Sequence, residues 1–143
     1  PRDYFITLNR ALHHSFVYKN TIATSLGPVK NPDFVAFIAD FMLRVERISW
    51  SMCLARYKDK IIVSVRTTNT KGDAGNFLRR LIGKKGTAGG HGMIAGGQIT
   101  CETMEHESCT KIEEEMIQDF LKILGYKEPG EMTPLLTTEL IHT

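Results

Sequence analysis

Apolar and polar positions divide the chain into short periodic stretches separated by glycine and proline. Phe5, Leu8, Leu12 and Phe16 recur near helical spacing, which predicts a first helix over residues 3 to about 16. Thr21 to Leu26 is a β-branched run stopped by Gly27-Pro28 and reads as a strand and turn. Asn31-Pro32-Asp33 then opens a second helix, with Asn31 as cap and Pro32 at the first helical position, where a missing N–H costs nothing. Phe34, Phe37, Ile38, Phe41 and Met42 form the stripe of that helix expected in the core. Ile48, Trp50, Met52 and Leu54 alternate with Ser49, Ser51, Cys53 and Ala55, the period of a strand. Lys58-Asp59-Lys60 turns this strand into a second one, Ile61 to Arg66, which leaves Arg66 at a strand end.

The second half continues the pattern. Asp73 caps a third helix whose buried stripe is Ala74, Phe77, Leu78, Leu81 and Ile82, and Gly83 stops it. Arg79 and Arg80 fall off that stripe, and Lys84-Lys85 leads into a glycine-rich stretch expected to curl as a loop. Gln98 to Cys101 should return as a strand. Thr110-Lys111-Ile112-Glu113 fits a capping box for a last helix running to Gly125, with Glu113-Glu114-Glu115 as first-turn acids suited to the helix dipole. Beyond Lys127 no period is visible, which predicts a partly disordered tail. The expected organisation is therefore a leading helix within residues 1–20, one α/β domain over 21–126 and a tail over 127–143. Its sheet is mixed, with about five strands flanked by helices.

Composition narrows the setting. A chain of 143 residues can bury a core without staples, and no apolar run approaches the ~20 residues of a membrane span. Three cysteines (Cys53, Cys101 and Cys109) cannot all pair, which favours a reducing, cytoplasmic compartment. Cys53 falls on the small-residue face of its strand and reads as an inert, packed thiol. The chain opens on Pro1 and is read as a piece of a longer protein. The net charge of +2 is unevenly spread. Residues 56–101 hold nine Lys/Arg against two Asp/Glu, whereas residues 102–143 hold three against ten. The basic third favours an anionic ligand.

That third contains Gly86 to Gly97, in which six of twelve residues are glycine and the only ring is His91. Glycine frees φ and removes the Cβ, so successive N–H groups can turn toward an anion. An imidazole there adds a donor that is neutral or cationic near pH 7. Phosphate binding is the chemistry this suggests. A hairpin loop with an incidental histidine is the plainer alternative.

Gly89-Gly90-His91-Gly92 followed by Ala95-Gly96-Gly97 resembles the glycine–histidine signature of the DHHA1 domain, the accessory domain of DHH-family phosphoesterases. In that family a Ser-x-Arg strand end and a short helix come first. Here Val63-Ser64-Val65-Arg66-Thr67-Thr68 and the helix from Asp73 stand in those places, and the resemblance runs from about Asp3 to Cys101. It implies an α/β substrate-binding domain that grips the phosphate of a nucleotide or short single-stranded nucleic acid. Arg66 suits a bidentate phosphate contact, His91 one further hydrogen bond, and the N–H groups of Gly89, Gly90 and Gly92 the rest of the cradle. Thr68, Asn69 and Lys85 are the expected polar neighbours. The family loop often has glycine where this chain has Ala88. The resemblance further implies an N-terminal DHH domain in cis that carries manganese, joined through the leading helix, and a homodimer of the full-length protein. No catalytic residue, metal site or cofactor is expected within this chain itself.

Other constellations carry less. His13-His14 follows Leu12, not the aspartate of a DHH metal motif, and reads as two helix histidines. Cys101, His106 and Cys109 are soft ligands at C-x4-H-x2-C, but zinc needs a fourth that only Glu102 or Glu105 could supply, and they read as packed or solvated residues. Three functions stay open: a phosphoesterase of short oligonucleotides or nucleotides, a RecJ-like single-strand exonuclease, and a non-catalytic nucleic-acid-binding module like that of alanyl-tRNA synthetases. Tyr57 and Phe77 are the only aromatics in the basic third, too few to stack a long strand, which favours a short substrate.

Overall fold

The computed structural model describes residues 1–137. The chain runs α1 (Arg2–His13), β1 (Ser15–Tyr18), β2 (Thr21–Pro28), α2 (Asp33–Met42), β3 (Trp50–Tyr57), β4 (Lys60–Thr67), α3 (Ala74–Ile82), one 3-10 turn (Gly83–Lys85), β5 (Gly86–His91), β6 (Ile94–Thr100), α4 (His106–Ile123) and β7 (Thr133–Pro134). The seven strands form one mixed sheet in the order β5-β6-β4-β3-β2-β1-β7. Among the described residues only β2 and β3 run parallel, and α2 makes the crossover between them. The expected α/β architecture holds, with seven strands in place of about five.

Two cores sandwich the sheet. On one face α3 and α4 bury Met52, Leu54, Ile61, Val63 and Val65 beneath Leu78, Ile82, Met116 and Phe120. Trp50 sits among them, its ring 4.8 Å from Phe77 and 6.0 Å from Phe120. On the other face α1 and α2 cover Ile22, Leu26, Cys53 and Ala55 with Ala11, Val35, Ile38, Ala39 and Met42. Burying each such aliphatic side chain contributes roughly 1.5–3 kcal/mol, so both layers are needed to hold the sheet. Burial also pushes the Cys53 thiol far above its ordinary range.

Several expectations are corrected. Helix α1 ends at His13, and Phe16 lies instead on β1, which a turn with Lys19 at φ 53° joins to β2. Phe5, on α1 as its spacing predicts, is 69 % exposed. In α2 the buried stripe is rotated toward Val35 and Ala39. Phe34 and Phe37 stand half-buried against Tyr4 of α1, at 5.7 and 4.5 Å. The helix starts at Asp33 with Pro32 in the cap position, and Asn31, one residue earlier, accepts the Asp33 N–H on Oδ1 at 2.9 Å in a local turn. Helix α4 begins at His106, so Thr110 and Glu113 lie inside it, not at its cap. Within the tail, Thr133–Pro134 pair with β1, and the Leu135 N–H donates to the Ser15 carbonyl. Residues 138–143 lie outside the described residues.

Candidate phosphate-binding face

The glycine-rich stretch is not a curled loop but a β-hairpin. Gly86–His91 and Ile94–Thr100 pair antiparallel, with Gly92-Met93 as a two-residue turn. Gly92 has φ 59°, the positive value that the first position of such a turn demands. Successive N–H groups of a paired strand point alternately toward its neighbour and away from it. Gly89 and Gly90 on β5 therefore do not turn their N–H groups together toward one anion.

These glycines do different work on the two sides of the hairpin. On the side of α3, a Cβ on Gly75 would lie 2.1 Å from the Gly90 carbonyl oxygen, so a side chain there would force the helix off the strand. The Ala74 N–H donates to the Gly92 carbonyl at 2.9 Å and ties the start of α3 to the turn. On the opposite side, the position of a Cβ on Gly89 has no atom within 4 Å, and that on Gly96 meets only the Val63 carbonyl at 3.8 Å. Gly89 pairs with Gly96, and Gly96 with Ser64, so a floor nearly free of side chains crosses three strands.

One row beyond this floor the register aligns His91, Ile94, Arg66 and Ser51 across β5, β6, β4 and β3. Residues paired across strands share a face. Strands stand about 4.8 Å apart, so His91 and Arg66 arise roughly 10 Å from one another on the same side. Helix α2 covers Ser51 and the base of Arg66 but stops short of the hairpin, where Ile94 is 55 % exposed and His91 is open to solvent.

Arg66 itself is mostly buried. Its Nε donates to Asp40 Oδ1 of α2 at 2.7 Å, and Nη1 donates to the carbonyls of Val65 at 2.9 Å and Ala95 at 3.1 Å. The Ala95 contact draws the guanidinium toward β6. Nη2 is left without an acceptor among the described residues. The fork expected for a bidentate contact is thus partly occupied by protein, and Nη2 is the nitrogen that offers donors to a ligand.

The other expected neighbours separate into two groups. Thr68 and Asn69 follow β4 at the same end of the sheet as His91. The Thr68 N–H donates to the Ser49 carbonyl, while Asn69 accepts the Lys71 N–H on Oδ1 and so builds its own turn. Lys85 precedes β5 and stands at the opposite end of that strand from His91, roughly 20 Å away at 3.4 Å per residue. It does not join the row. Ile94 and Ser51 stand in the row and Asp40 reaches Arg66 from α2, and none of the three was expected at this face. Ile94 was hidden within the glycine run, and Asp40 is an ordinary polar position on an amphipathic helix.

A second polar cluster lies under the other face. Arg56 donates to Glu113 Oε1 from Nη2 at 2.6 Å and Nε at 3.2 Å, and from Nη2 to Thr110 Oγ1 at 3.1 Å. Its Nη1 is 3.0 Å from His106 Nδ1. The pair is almost wholly buried, and Glu113 Oε2 has no partner among the described residues. Among the described residues no three His, Cys, Asp or Glu side chains group closely enough to hold a metal ion, and no helix is long and apolar enough to cross a membrane.

An α/β sandwich whose glycine hairpin is backed by a helix on one side and bare on the other defines the class. Residues 19–125 match the family model of the DHHA1 domain, and the chain belongs to that family. An uncharacterised protein of Methanocaldococcus jannaschii is 30 % identical over 127 residues, which cover 85 % of this chain and 26 % of that protein. The chain thus spans about a quarter of that relative's length. An exopolyphosphatase-related protein of Bacteroides fragilis shares the fold with a TM-score of 0.59 at 19 % identity, over 90 % of this chain and 37 % of that one. A pGpG-specific phosphodiesterase of Vibrio cholerae does so with a TM-score of 0.54 at 14 % identity, over 85 % and 40 %.

Proposed function

We propose that this domain is the substrate-binding part of a DHH-family phosphoesterase and holds a phosphate of a nucleotide or short single-stranded oligonucleotide. One observation carries the reading: Arg66 and His91 share a register row on a face left bare beside the Gly89–Gly96 floor. A phosphate resting there meets the Nη2 donors and the imidazole, while Ile94 offers an apolar surface to a sugar or base. A charged donor in such a contact contributes about 1.5–3 kcal/mol.

Hydrolysis of a phosphoester with metal help needs clustered ligands to hold ions that activate water. Among the described residues no such cluster of ligands is present, and on this reading the domain's part is to hold and orient substrate. In the proposed parent protein a DHH domain in cis, N-terminal to this one, carries manganese and the catalytic residues, the enzyme acts in the cytoplasm, and it forms a homodimer. The chain by itself is then inactive toward short oligonucleotides with or without manganese.

The test is binding of adenosine 3′-phosphate and of adenosine to the chain and to Arg66→Ala, His91→Ala and the double variant. The phosphorylated ligand should bind more tightly, and Arg66→Ala should remove most of that advantage. Two groups on one phosphate should also couple by about 0.5 kcal/mol or more. Equal affinities for the two ligands in the unaltered chain would overturn the reading.

A further inference from the structure

Asp40 poses a question that phosphate binding does not answer. Its carboxylate lies against the arginine that the proposed site would use for an anion, at 2.7 Å, and the Asp40 side chain is 63 % exposed while that of Arg66 is 10 % exposed. A negative charge turned to solvent beside an anion site weakens attraction for any anion. If the face served only to attract phosphate, a neutral acceptor would orient Arg66 as well. Only Oδ1 is occupied by the arginine; Oδ2 has no partner among the described residues. The Arg66–Asp40 pair therefore leaves two groups without a protein partner among the described residues, the Nη2 donors of Arg66 and the Oδ2 acceptor of Asp40.

We infer that Asp40 is a specificity-determining residue that accepts a hydrogen bond from a hydroxyl next to the bound phosphate. The chemical class selected is a phosphate ester with a free hydroxyl on the carbon beside the esterified one, which in a nucleotide chain is the ribose 2′-hydroxyl next to a 3′-linked phosphate. A deoxyribose at the same place meets the carboxylate with no donor to offer. The carboxylate is then left partly desolvated and unpaired beside the phosphate, the situation in which a polar site rejects a ligand lacking the matching group. The cost that Asp40 imposes on every anion is offset only by the ligand that supplies the donor.

This inference rests on the phosphate reading, and the experiment separates the two. The affinities of adenosine 3′-phosphate, whose 2′-hydroxyl lies beside the phosphate, and of 2′-deoxyadenosine 3′-phosphate are measured for the unaltered chain, Asp40→Ala and Asp40→Asn. The unaltered chain should prefer the ribose ligand about tenfold. In Asp40→Ala the preference should fall to about twofold or less, with the deoxy ligand bound as tightly as before or more so, because a repelling charge is gone. Asp40→Asn, which keeps an acceptor without the charge, should bind both ligands more tightly than the unaltered chain does and keep part of the preference. Loss of affinity for both ligands by one factor would show that Asp40 only props Arg66, and would overturn the inference while leaving phosphate binding intact. A ribose preference unchanged in Asp40→Ala would overturn it as well. Failure of the unaltered chain to favour adenosine 3′-phosphate over adenosine would sink the phosphate reading itself, and this inference with it.

Discussion

Replacing Glu113 with leucine tests whether the Arg56 cluster holds α4 to the sheet. The carboxylate takes two of the four hydrogen bonds of Arg56, and both side chains are at least nine-tenths buried. Removing one partner of a buried pair costs about 3–5 kcal/mol, because the other charge is left behind. Two details place Glu113→Leu at the low end. Arg56 keeps Thr110 and His106, and the unpartnered Oε2 disappears with the carboxylate. The expected loss is about 3 kcal/mol, a fall in Tm of roughly 10 °C for a domain of this size. Arg56→Met should cost more, because it strands a whole carboxylate whose side chain is almost wholly buried. The double variant Arg56→Met/Glu113→Leu should return to within about 1 kcal/mol of the original, since apolar groups of similar volume replace a buried pair at little cost. Urea titrations followed by the fluorescence of Trp50, the single tryptophan, give these values. A loss below about 1 kcal/mol for Glu113→Leu, or a double variant as unstable as the two singles combined, would refute the reasoning.

Gly75→Ala should lose about 1–3 kcal/mol in the same titration, because its Cβ meets the Gly90 carbonyl at 2.1 Å. Gly89→Ala should leave stability within about 0.5 kcal/mol of the original yet weaken binding of adenosine 3′-phosphate, because its methyl enters open space on the ligand face. A thiol reagent should leave the buried Cys53 and Cys109 untouched in the folded chain and find three thiols in denaturant. Cys53 keeps its proton more tightly folded than unfolded, so the stability it contributes is whole below its ordinary pKa of 9.0 and falls as pH rises above that; Cys53→Ala should flatten the decline seen between pH 9 and 10.5. Binding of di- and pentanucleotide strands should have a salt slope corresponding to at most about two or three phosphates, and a slope near ten together with a steady gain in affinity up to twenty nucleotides would favour a long-strand binder.

Elements whose burial repeats along the chain were legible in the sequence. The alternation around Trp50 gave a strand because its large side chains enter one core and its small ones the other, both faces being buried, and the stripe of α3 gave a helix because one buried face imposes one period. Strand β1 was not legible: Phe16 falls at helical spacing from Leu12, and only the turn at Lys19 reverses the chain. The capping box failed for a related reason. Thr110 and Glu113 have the right types and spacing, but both side chains are taken by Arg56, 54 and 57 residues away, and local pattern cannot see that partner. Glycine was misread in kind. Its abundance suggested a loop, whereas Gly90 serves close packing against Gly75 and Gly89 an open floor. Arg66 at a strand end was legible, but its bond to Asp40 needed the crossover helix to be placed over the sheet.

The two margins of the sheet differ in what they offer to another polypeptide. Among the described residues one margin is β7, two residues long and ending in Pro134, which has no N–H to donate. The other is β5, six residues long, with β6 along one side only. Half of its peptide groups therefore point to solvent, and few side chains shield them. Concentrated protein has that strand available for adding a second chain in register, and growth by strand addition would run alongside the ligand face. A lysine in place of Thr87, an exposed residue of β5, would place a charge on this margin without touching the Arg66 row. Such a variant is the practical choice for work at the high concentrations that structural studies of the complex require.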